Sequence, residues 1–355
     1  MKIAQLTGAY VNAGDFLIQE RSSALLKSVL PDAEIQMFSR KNIERDFEDI
    51  EKCDVICFAG GPLIKRDVNS NILLTKTMEF TKPIMLLGCG WKGEKGDKSF
   101  NYSYSFTEET LEFYRKVTLS GFGIGCRDIY TYRALISSGL TNVCMTGCPA
   151  WYDLHHIDSI SLVHSGDIKH ICVSDPVLPY NQQHALDVLS FLQKRYPKAK
   201  ISFIFHRDVD EAFKQKIEML YPQISVVIIS GSADGFSLYN QCDLHVGFRV
   251  HAHIYNLSIR NRSILIEEDG RGAGVNEALG CIRITAYDDC LKQSPRDWPY
   301  FWRRKKPDLL NKHVLSELSA CLDMNEQTNW QYMNNAFALQ NKYYLKMIEF
   351  ISKIK

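Results

Sequence analysis

The amino-acid sequence predicts an α/β protein in which two Rossmann-like domains face each other across a cleft, with helices at the C-terminus. Short apolar runs alternate with longer amphipathic ones, a pattern typical of parallel α/β architecture. This series occurs twice, and a looser polar stretch from Asp153 to Lys169 separates the two copies as a linker would. The chain has 355 residues, enough for two hydrophobic cores, since domains most often contain about 100–150 residues.

The N-terminal series predicts a first domain over residues 1–160. It begins with the strand KIAQLTG and the amphipathic helix GDFLIQERSSALLKSVL, followed by the strands AEIQMFS, DVICFAGG and KPIMLLGCG. The helix TEETLEFYRKVT has Thr107 as its expected N-cap. A short strand in GFGIGCRD, the helix IYTYRALISSG and the strand NVCMTGCPAW complete the domain.

The second series predicts a domain over residues 161–295. Its strands are HICVSD, KISFIFH, SVVIIS, DLHVGF and SILIEED, and amphipathic segments separate them. Residues 296–355 form a tail in which Leu309 to Lys355 reads as two amphipathic helices that pack back on the body. Because ligands of open α/β sheets bind beyond the carboxyl ends of the strands, we expect the functional site in the cleft between the domains.

Composition excludes several classes of protein. Lys plus Arg (42) nearly balances Asp plus Glu (41), so no global field favours nucleic acid. The eleven cysteines are odd in number and form no C-x-x-C pair, which favours free buried thiols in a reducing cytosol. The start of the chain does not resemble a signal peptide, and no apolar run approaches the about 18 residues of a membrane span. We therefore expect a cytoplasmic protein.

Two glycine-bearing segments follow predicted strands in the N-terminal half. Asn12, Gly14 and Asp15 precede a helix whose N-terminal N–H groups would point into the cleft, although Asp15 could also be a simple N-cap. Gly60 and Gly61 would let a ligand approach the backbone closely, although a tight turn explains them nearly as well. We expect these residues to line the cleft on the acceptor side.

Arg127 and Asp128 stand where a short strand ends and a helix begins. Asp128 suits the N-cap position, and Arg127 could project into the cleft as a fork for phosphate or carboxylate. The alternative is a surface salt bridge between the two.

The stretch CDLHVGFRVHAHIYNL contains three histidines and one arginine. No carboxylate or cysteine at ligand spacing completes a metal site, so we expect none. His245 lies inside a predicted strand and, like His253, is expected to be structural. Arg249 and His251 lie at a strand–helix junction, where a helix N-terminus, a guanidinium and an imidazole suit an anion whose reaction needs a proton donor. A core histidine is the alternative for His251.

In their order along the chain, these segments resemble the motifs of the polysaccharide pyruvyl transferase family. The resemblance spans about Ile3 to Gly280 and rests on five motifs: Asn12-Ala13-Gly14-Asp15, Ala59-Gly60-Gly61, Arg127-Asp128, Arg249-Val250-His251 and Asp269-Gly270-Arg271. The sequence departs from the family pattern in having Arg271 where many members have Lys, Val250 for a frequent Leu, and Cys148 for a familiar Asp.

The resemblance implies a GT-B-like fold and transfer of pyruvate from phosphoenolpyruvate to a sugar of a cell-surface polysaccharide or its lipid-linked precursor. It implies that Arg127, Arg249, His251 and Arg271 bind the donor, and that His251, Arg249 and Arg127 are catalytic, with His251 as general acid. It implies no metal and no cofactor beyond phosphoenolpyruvate as co-substrate.

Two other functions stay open on the sequence alone. One is a GT-B glycosyltransferase that uses a nucleotide sugar, in which Glu267 or Glu268 would hold a ribose; the other is a non-catalytic glycan- or partner-binding protein. The aromatic and basic segment RDWPYFWRRKK could dock at the inner face of a membrane, where lipid-linked acceptors reside. Its alternative is packing of the aromatic rings on the body. The oligomeric state is not predicted.

Overall fold

The computed structural model describes residues 1–91, 105–164, 166–287 and 310–355. Twelve strands lie in these ranges: β1 (Lys2–Thr7), β2 (Glu34–Ser39), β3 (Val55–Ala59), β4 (Ile84–Cys89), β5 (Gly123–Cys126), β6 (Val143–Met145), β7 (His170–Ser174), β8 (Lys200–Phe205), β9 (Ser225–Ile228), β10 (Leu244–Gly247), β11 (Arg262–Glu267) and β12 (Ile284–Thr285). The α-helices of the same ranges are α1 (Ala13–Val29), α2 (Phe47–Glu51), α3 (Ile72–Thr77), α4 (Glu108–Leu119), α5 (Ile129–Ser137), α6 (Gln182–Arg195), α7 (Glu211–Leu220), α8 (Val250–Ser258), α9 (Gly270–Leu279), α10 (Val314–Gln327) and α11 (Gln331–Ser352).

The strands form two six-stranded parallel sheets, which confirms the predicted α/β class. The first has the order β2-β1-β3-β4-β5-β6 and the second β12-β11-β10-β7-β8-β9. Central strands such as β3 (VICFA) and β4 (IMLLGC) are buried along their whole length because helices cover both faces. When the strands of each sheet are renumbered from 1 in chain order, the second sheet has the order 3-2-1-4-5-6 of Rossmann domains. The first sheet has the order 2-1-3-4-5-6. Strand order reverses between β1 and β3 in one sheet and between β7 and β10 in the other, and these two switch points face the same cleft.

Helix α1 begins beside this cleft. Its N-cap is Asn12, whose side chain accepts a hydrogen bond from the Gly14 N–H. Asp15 lies in the first turn and accepts a hydrogen bond from Asn12 Nδ2 at 3.1 Å. The suggestion that Asp15 itself caps the helix is therefore wrong, because the cap position falls three residues earlier.

The predicted pair of C-terminal helices is confirmed as α10 and α11. Helix α11 packs against β6 and α1 of the first half and against α8 and α9 of the second. Its Gln340 donates to the Trp151 carbonyl at 3.3 Å, and Lys353 donates to Asn142 at 2.6 Å. The helix thus fastens the two halves together.

Arg260 makes a further connection between the two halves. It is fully buried and donates from Nε to the Ser159 carbonyl at 2.6 Å and from Nη2 to the Ile157 carbonyl at 3.1 Å, both in the polar connection between the sheets. It also donates to Gln340 and Asn341 of α11. One guanidinium therefore joins the connection between the halves to the helix that spans them.

Two expectations from composition concern the described residues. The ten described cysteines are free, and all except Cys144 are buried. No helix in the described ranges combines the length and apolar character that a bilayer crossing requires. The segment RDWPYFWRRKK lies outside the described residues, so its docking remains a hypothesis.

Candidate active site

A cavity of about 300 Å³ opens between the carboxyl ends of the two sheets. Residues following β1, β3 and β5 line one wall, and residues following β7, β10 and β11 line the other. Most of the site residues expected from the sequence meet here: Asn12, Asp15, Gly61, Arg127, Arg249, His251 and Arg271. Gly14 and Gly60 do not line the cavity but pack behind it, against His251 and Ile18 respectively.

Arg127 projects from the end of β5 and is only 5% exposed. Its Nη2 donates to the Trp91 carbonyl at 2.6 Å, and its Nε lies 3.5 Å from Asp128 Oδ2. Gly90 makes room for it, because a Cβ at that position would lie 2.8–2.9 Å from the guanidinium. Asp128 caps α5 by accepting from the Thr131 N–H at 2.8 Å. The surface salt bridge considered for this pair is therefore wrong, because both side chains are buried.

Arg249 occupies the N-cap position of α8, where β10 ends. Both edges of its fork are engaged by Asp175: Nε donates to Oδ1 at 2.7 Å, and Nη2 donates to Oδ2. Asp175 directly follows β7, so the pair bridges the switch point of the second sheet. Asp175 was not among the residues expected at the site, although a carboxylate at the end of a strand beside a switch point is a usable signal. The three remaining N–H groups of Arg249 are left for other acceptors.

Arg271 stands in the first turn of α9, which Asp269 caps. Its Nε lies 2.9 and 3.0 Å from the two Asp269 oxygens, and its Nη2 lies 2.7 Å from Oδ2. Arg127, Arg249 and Arg271 thus each contact a carboxylate, which offsets much of their charge. An anion at this site would be held by directed N–H groups more than by surplus positive charge.

His251 lies two residues after Arg249, in the first turn of α8, and its imidazole packs against the backbone of Gly14, so that a Cβ on Gly14 would overlap the ring. Burial and then, in decreasing order of effect, the charges of Arg127, Arg271 and Arg249 together lower the pKa of His251 to about 3. The pKa of this imidazole is therefore well below neutrality. His251 is neutral at physiological pH.

The other two histidines of the same stretch belong to a buried hydrogen-bonded chain behind the cavity. The Arg249 N–H donates to Ser174 Oγ at 3.1 Å, and this oxygen lies 2.9 Å from His245 Nε2. His245 Nδ1 lies 2.8 Å from Ser263 Oγ, which lies 2.8 Å from His253 Nδ1. Burial lowers the pKa of both histidines. Among the described residues, no group of His, Cys, Asp and Glu is arranged to hold a metal ion.

Two carboxyls at the cavity have raised pKa values. Burial raises the pKa of Asp15, an effect that the Asn12 hydrogen bond partly offsets. Burial raises the pKa of Glu268 to about 7, although its oxygens accept from the Val177 N–H at 2.7 Å, the Leu178 N–H at 3.1 Å and Asn181 Nδ2 at 2.7 Å. Glu268 therefore titrates near neutrality and at the same time holds the loop after β7.

Comparison with known proteins gives one family match. The model of the polysaccharide pyruvyl transferase family matches residues 12–255, a range that includes four of the five motifs quoted above. No curated protein matches the chain by sequence.

Solved structures resemble the chain in fold. The S. aureus MnaA–UDP co-structure superposes with a TM-score of 0.61 at 13% identity, covering 98% of this chain and 97% of that one. The UDP-GlcNAc 2-epimerase from Neisseria meningitidis bound to UDP-GlcNAc gives 0.56 at 9% identity, with 98% of each chain covered. A glycosyltransferase from Rickettsia africae gives 0.53 at 10% identity, covering 99% of this chain and 98% of that one. At such identities the likeness shows the fold alone, and it confirms the GT-B-like arrangement of two α/β domains.

Proposed function

The chain belongs to the polysaccharide pyruvyl transferase family and is a transferase, and from this premise we propose that it moves pyruvate from phosphoenolpyruvate to a sugar of a cell-surface polysaccharide or of its lipid-linked precursor. The product is a pyruvate ketal, and inorganic phosphate is released. The observation that carries the proposal is the convergence of Arg127, Arg249 and Arg271 with His251 on one cavity.

Phosphoenolpyruvate carries a carboxylate and a phosphate close together. Guanidinium groups bind both kinds of oxyanion through paired N–H donors, so several arginines around one small cavity form a natural clamp. Because Asp175 and Asp269 hold two of these arginines by their forks, the remaining N–H groups are oriented before the donor arrives. Such preorganisation favours the charge that develops on the departing phosphate.

The reaction needs one proton at the donor methylene. His251 supplies it, which turns the methylene into a methyl group and makes C2 electrophilic. A sugar hydroxyl adds to C2 and returns its proton to His251. The C2–O bond to phosphate then breaks, and a second hydroxyl closes the ketal while its proton leaves with the phosphate. General acid catalysis of this kind contributes about 10²–10⁴-fold.

His251 is protonated only after its surroundings change, since burial and the charges of the three arginines depress its pKa. A bound donor brings several negative charges beside the same arginines and offsets their effect. We infer that the donor itself creates the acid that acts on it. No cofactor and no metal take part in this scheme.

A nucleotide sugar is the alternative donor, and the UDP complexes among the structural relatives are the observation that favours it. A ribose would be expected to meet a free carboxylate in the second domain. Glu267 is fully buried and accepts from Arg283 and Asn276, and Glu268 accepts from the loop after β7. The two carboxylates considered for this purpose are therefore already committed to protein partners, which supports phosphoenolpyruvate.

The test is the thermal midpoint of the purified protein with phosphoenolpyruvate or with UDP-N-acetylglucosamine and other nucleotide sugars. The true donor, present at 100 times its Kd, adds about 2.7 kcal/mol to the free energy of unfolding of the protein. We expect phosphoenolpyruvate alone to raise the midpoint and Arg249→Lys to abolish much of the rise, because an ammonium cannot replace a fork. Stabilisation by nucleotide sugars only would refute the proposal.

A further inference from the structure

A second pocket of about 430 Å³ adjoins the active-site cavity on the side of the first sheet. The two share Tyr10, Lys41 and Pro62 as a common wall. The pocket lies beyond the ends of β1 and β3, where the strand order of the first sheet reverses. Ligands of open α/β sheets bind at such switch points. The three arginines assigned to the donor follow β5, β10 and β11. The proposed donor therefore does not use the switch point of the first sheet.

Arg40 is the cation at this switch point. It follows β2 directly, and its Nη2 reaches across to donate to the carbonyls of Ala59 at 2.8 Å and Gly60 at 2.9 Å, at the end of β3. These bonds orient the guanidinium but neutralise none of its charge. Its other terminal nitrogen, Nη1, lies between Gly8 and Gly61: a Cβ on Gly61 would stand 2.6 Å from it and one on Gly8 3.5 Å. The absence of a side chain at Gly61 is what makes room for Nη1.

Arg40 differs from the arginines of the donor cavity in its charge balance. Arg127, Arg249 and Arg271 each contact a carboxylate. In the described part of the chain Arg40 makes no such contact, and Asp15 is the carboxylate that influences it from farther away. Lys41 adds a second positive charge at the junction of the two pockets, with its ammonium 3.9 Å from the centre of the Tyr10 ring. The pocket is lined by Arg40, Lys41 and Lys65 and by one carboxylate, Glu44. This surplus of positive charge next to a group-transfer cavity is suited to an oxyanion.

We propose that this pocket, defined by Arg40, Lys41 and Tyr10, binds a phosphate group of the acceptor, so that the acceptor is a phosphorylated or phosphate-linked saccharide. The inference rests on the proposed pyruvyl transfer. Arg40 Nη1 and Lys41 hold the phosphate, Tyr10 offers an aromatic face to the adjoining sugar ring, and the shared wall brings the sugar hydroxyls towards His251. The pocket thereby selects an anionic saccharide over a neutral one.

The same pocket could take phosphate from either of two sources, the acceptor or the phosphate released from the donor. Isothermal titration of the phosphoenolpyruvate-saturated protein with glucose 1-phosphate, with glucose and with inorganic phosphate separates them. We expect glucose 1-phosphate to bind at least tenfold more tightly than either glucose or inorganic phosphate. Preference for inorganic phosphate would instead make the pocket an exit site and overturn the proposal, and so would the absence of millimolar binding by glucose 1-phosphate.

Arg40→Gln should weaken glucose 1-phosphate binding at least tenfold. Arg45→Gln is the matched control, since Arg45 is an exposed arginine of the same segment paired with Asp46, and it should bind as the wild type does. Because Arg40 also bonds the end of β3 and its loss could impair folding, Lys41→Gln provides a second variant, with an expected loss of about threefold. Wild-type affinity in both variants would overturn the assignment.

Failure of the phosphate-pocket proposal and failure of the proposed function give different experimental results. Arg40 does not line the donor cavity, so Arg40→Gln should keep phosphoenolpyruvate binding within about twofold. If phosphoenolpyruvate fails to bind even the wild type, the donor assignment is wrong, and the titrations with glucose 1-phosphate in its absence still decide whether Arg40 holds a phosphate.

Discussion

At the scale of single residues, the site depends on how its neighbours set the protonation of His251. The imidazole is buried among three guanidinium groups, which explains its depressed pKa. A general acid must carry its proton when the substrate is bound, so the relevant state is that of the donor complex. In the proposed reaction, His251 therefore gains a proton as the donor binds.

We predict that phosphoenolpyruvate binding takes up protons at pH 6–7. If the proposed donor raises the pKa of His251 from about 3, the complex binds more protons than the free protein, and donor affinity falls as pH rises. Isothermal titration in buffers of different ionisation enthalpy measures the uptake. His251→Gln is the control for protons taken up by the donor itself, and it should lose at least 10²-fold in turnover while donor binding stays within several-fold. Equal uptake by both proteins would remove the acid role from His251.

The pairing of Arg249 with Asp175 leads to a prediction about stability. Both side chains are buried and their contact is bidentate. Asp175→Asn keeps an acceptor for the backbone N–H of His206, which donates to Asp175 Oδ1 at 3.2 Å. It leaves the buried charge of Arg249 unpaired. Breaking a buried pair in this way costs about 3–5 kcal/mol.

Urea unfolding of Asp175→Asn, Arg249→Gln and the double variant measures the coupling between the two side chains. We expect the double variant to be less destabilised than the sum of the single ones, because neither charge is then left alone. The exposed pair of Arg115 and Glu108 is the control, with an expected effect of about 0–1 kcal/mol. A loss below about 1 kcal/mol for Asp175→Asn would show that Arg249 does not depend on it.

At the scale of elements, the site is made where the N-terminus of α1 meets α8. Gly14 in the first turn of α1 lies against the His251 ring. Two motifs separated by more than two hundred residues, Asn12-Ala13-Gly14-Asp15 and Arg249-Val250-His251, are therefore parts of one contact. Glycine is required in the first because the second places an imidazole where its Cβ would be.

Gly14→Ala tests this contact. Alanine favours the helix, but its Cβ would displace His251, and misplacing a catalytic group by about 1 Å can cost 10²-fold in rate. We expect turnover to fall by about that factor, with a stability loss of about 1–3 kcal/mol from overpacking. Gly166→Ala is the matched control, because no atom lies within 4 Å of a Cβ there. Wild-type turnover in Gly14→Ala would place His251 away from the reacting atoms.

At the scale of the whole molecule, the cavity exists only while the two sheets keep their relative placement. Arg260 contacts both the polar connection between the two sheets and helix α11. Its N–H groups donate to backbone carbonyls of the connection and to two side chains of α11. Arg260 has no carboxylate among these partners, and burial lowers its pKa to about 10. Its role is to satisfy polar groups where three segments converge.

Arg260→Gln should lower the free energy of unfolding by about 3 kcal/mol or more, since several buried acceptors would lose their donor at about 1–3 kcal/mol each. Chemical denaturation followed by fluorescence measures the loss. Arg207→Gln, at an exposed arginine, should change stability by less than about 0.5 kcal/mol. If Arg260→Gln unfolds like the wild type, α11 holds the halves together without it.

The sequence by itself determined the α/β class, the order of nearly every strand and helix, and the residues with the chemistry to bind an anion. These features are local: periodicity identifies an element, and parallel strands bring the residues that follow them to one edge. Arg127, Arg249, His251 and Arg271 could be named for this reason, and the structure places all four on one cavity.

Only the tertiary structure decided how those residues are paired and charged. Asp175 meets Arg249 across 74 positions, Gly14 meets His251, and Arg40 reaches the end of β3, and none of these contacts leaves a trace in local sequence pattern. The pKa of His251 and that of Glu268 likewise depend on burial and on charges from distant segments. Proximity and desolvation are properties of the folded chain, so the chemistry of the site becomes definite only when the two sheets face each other.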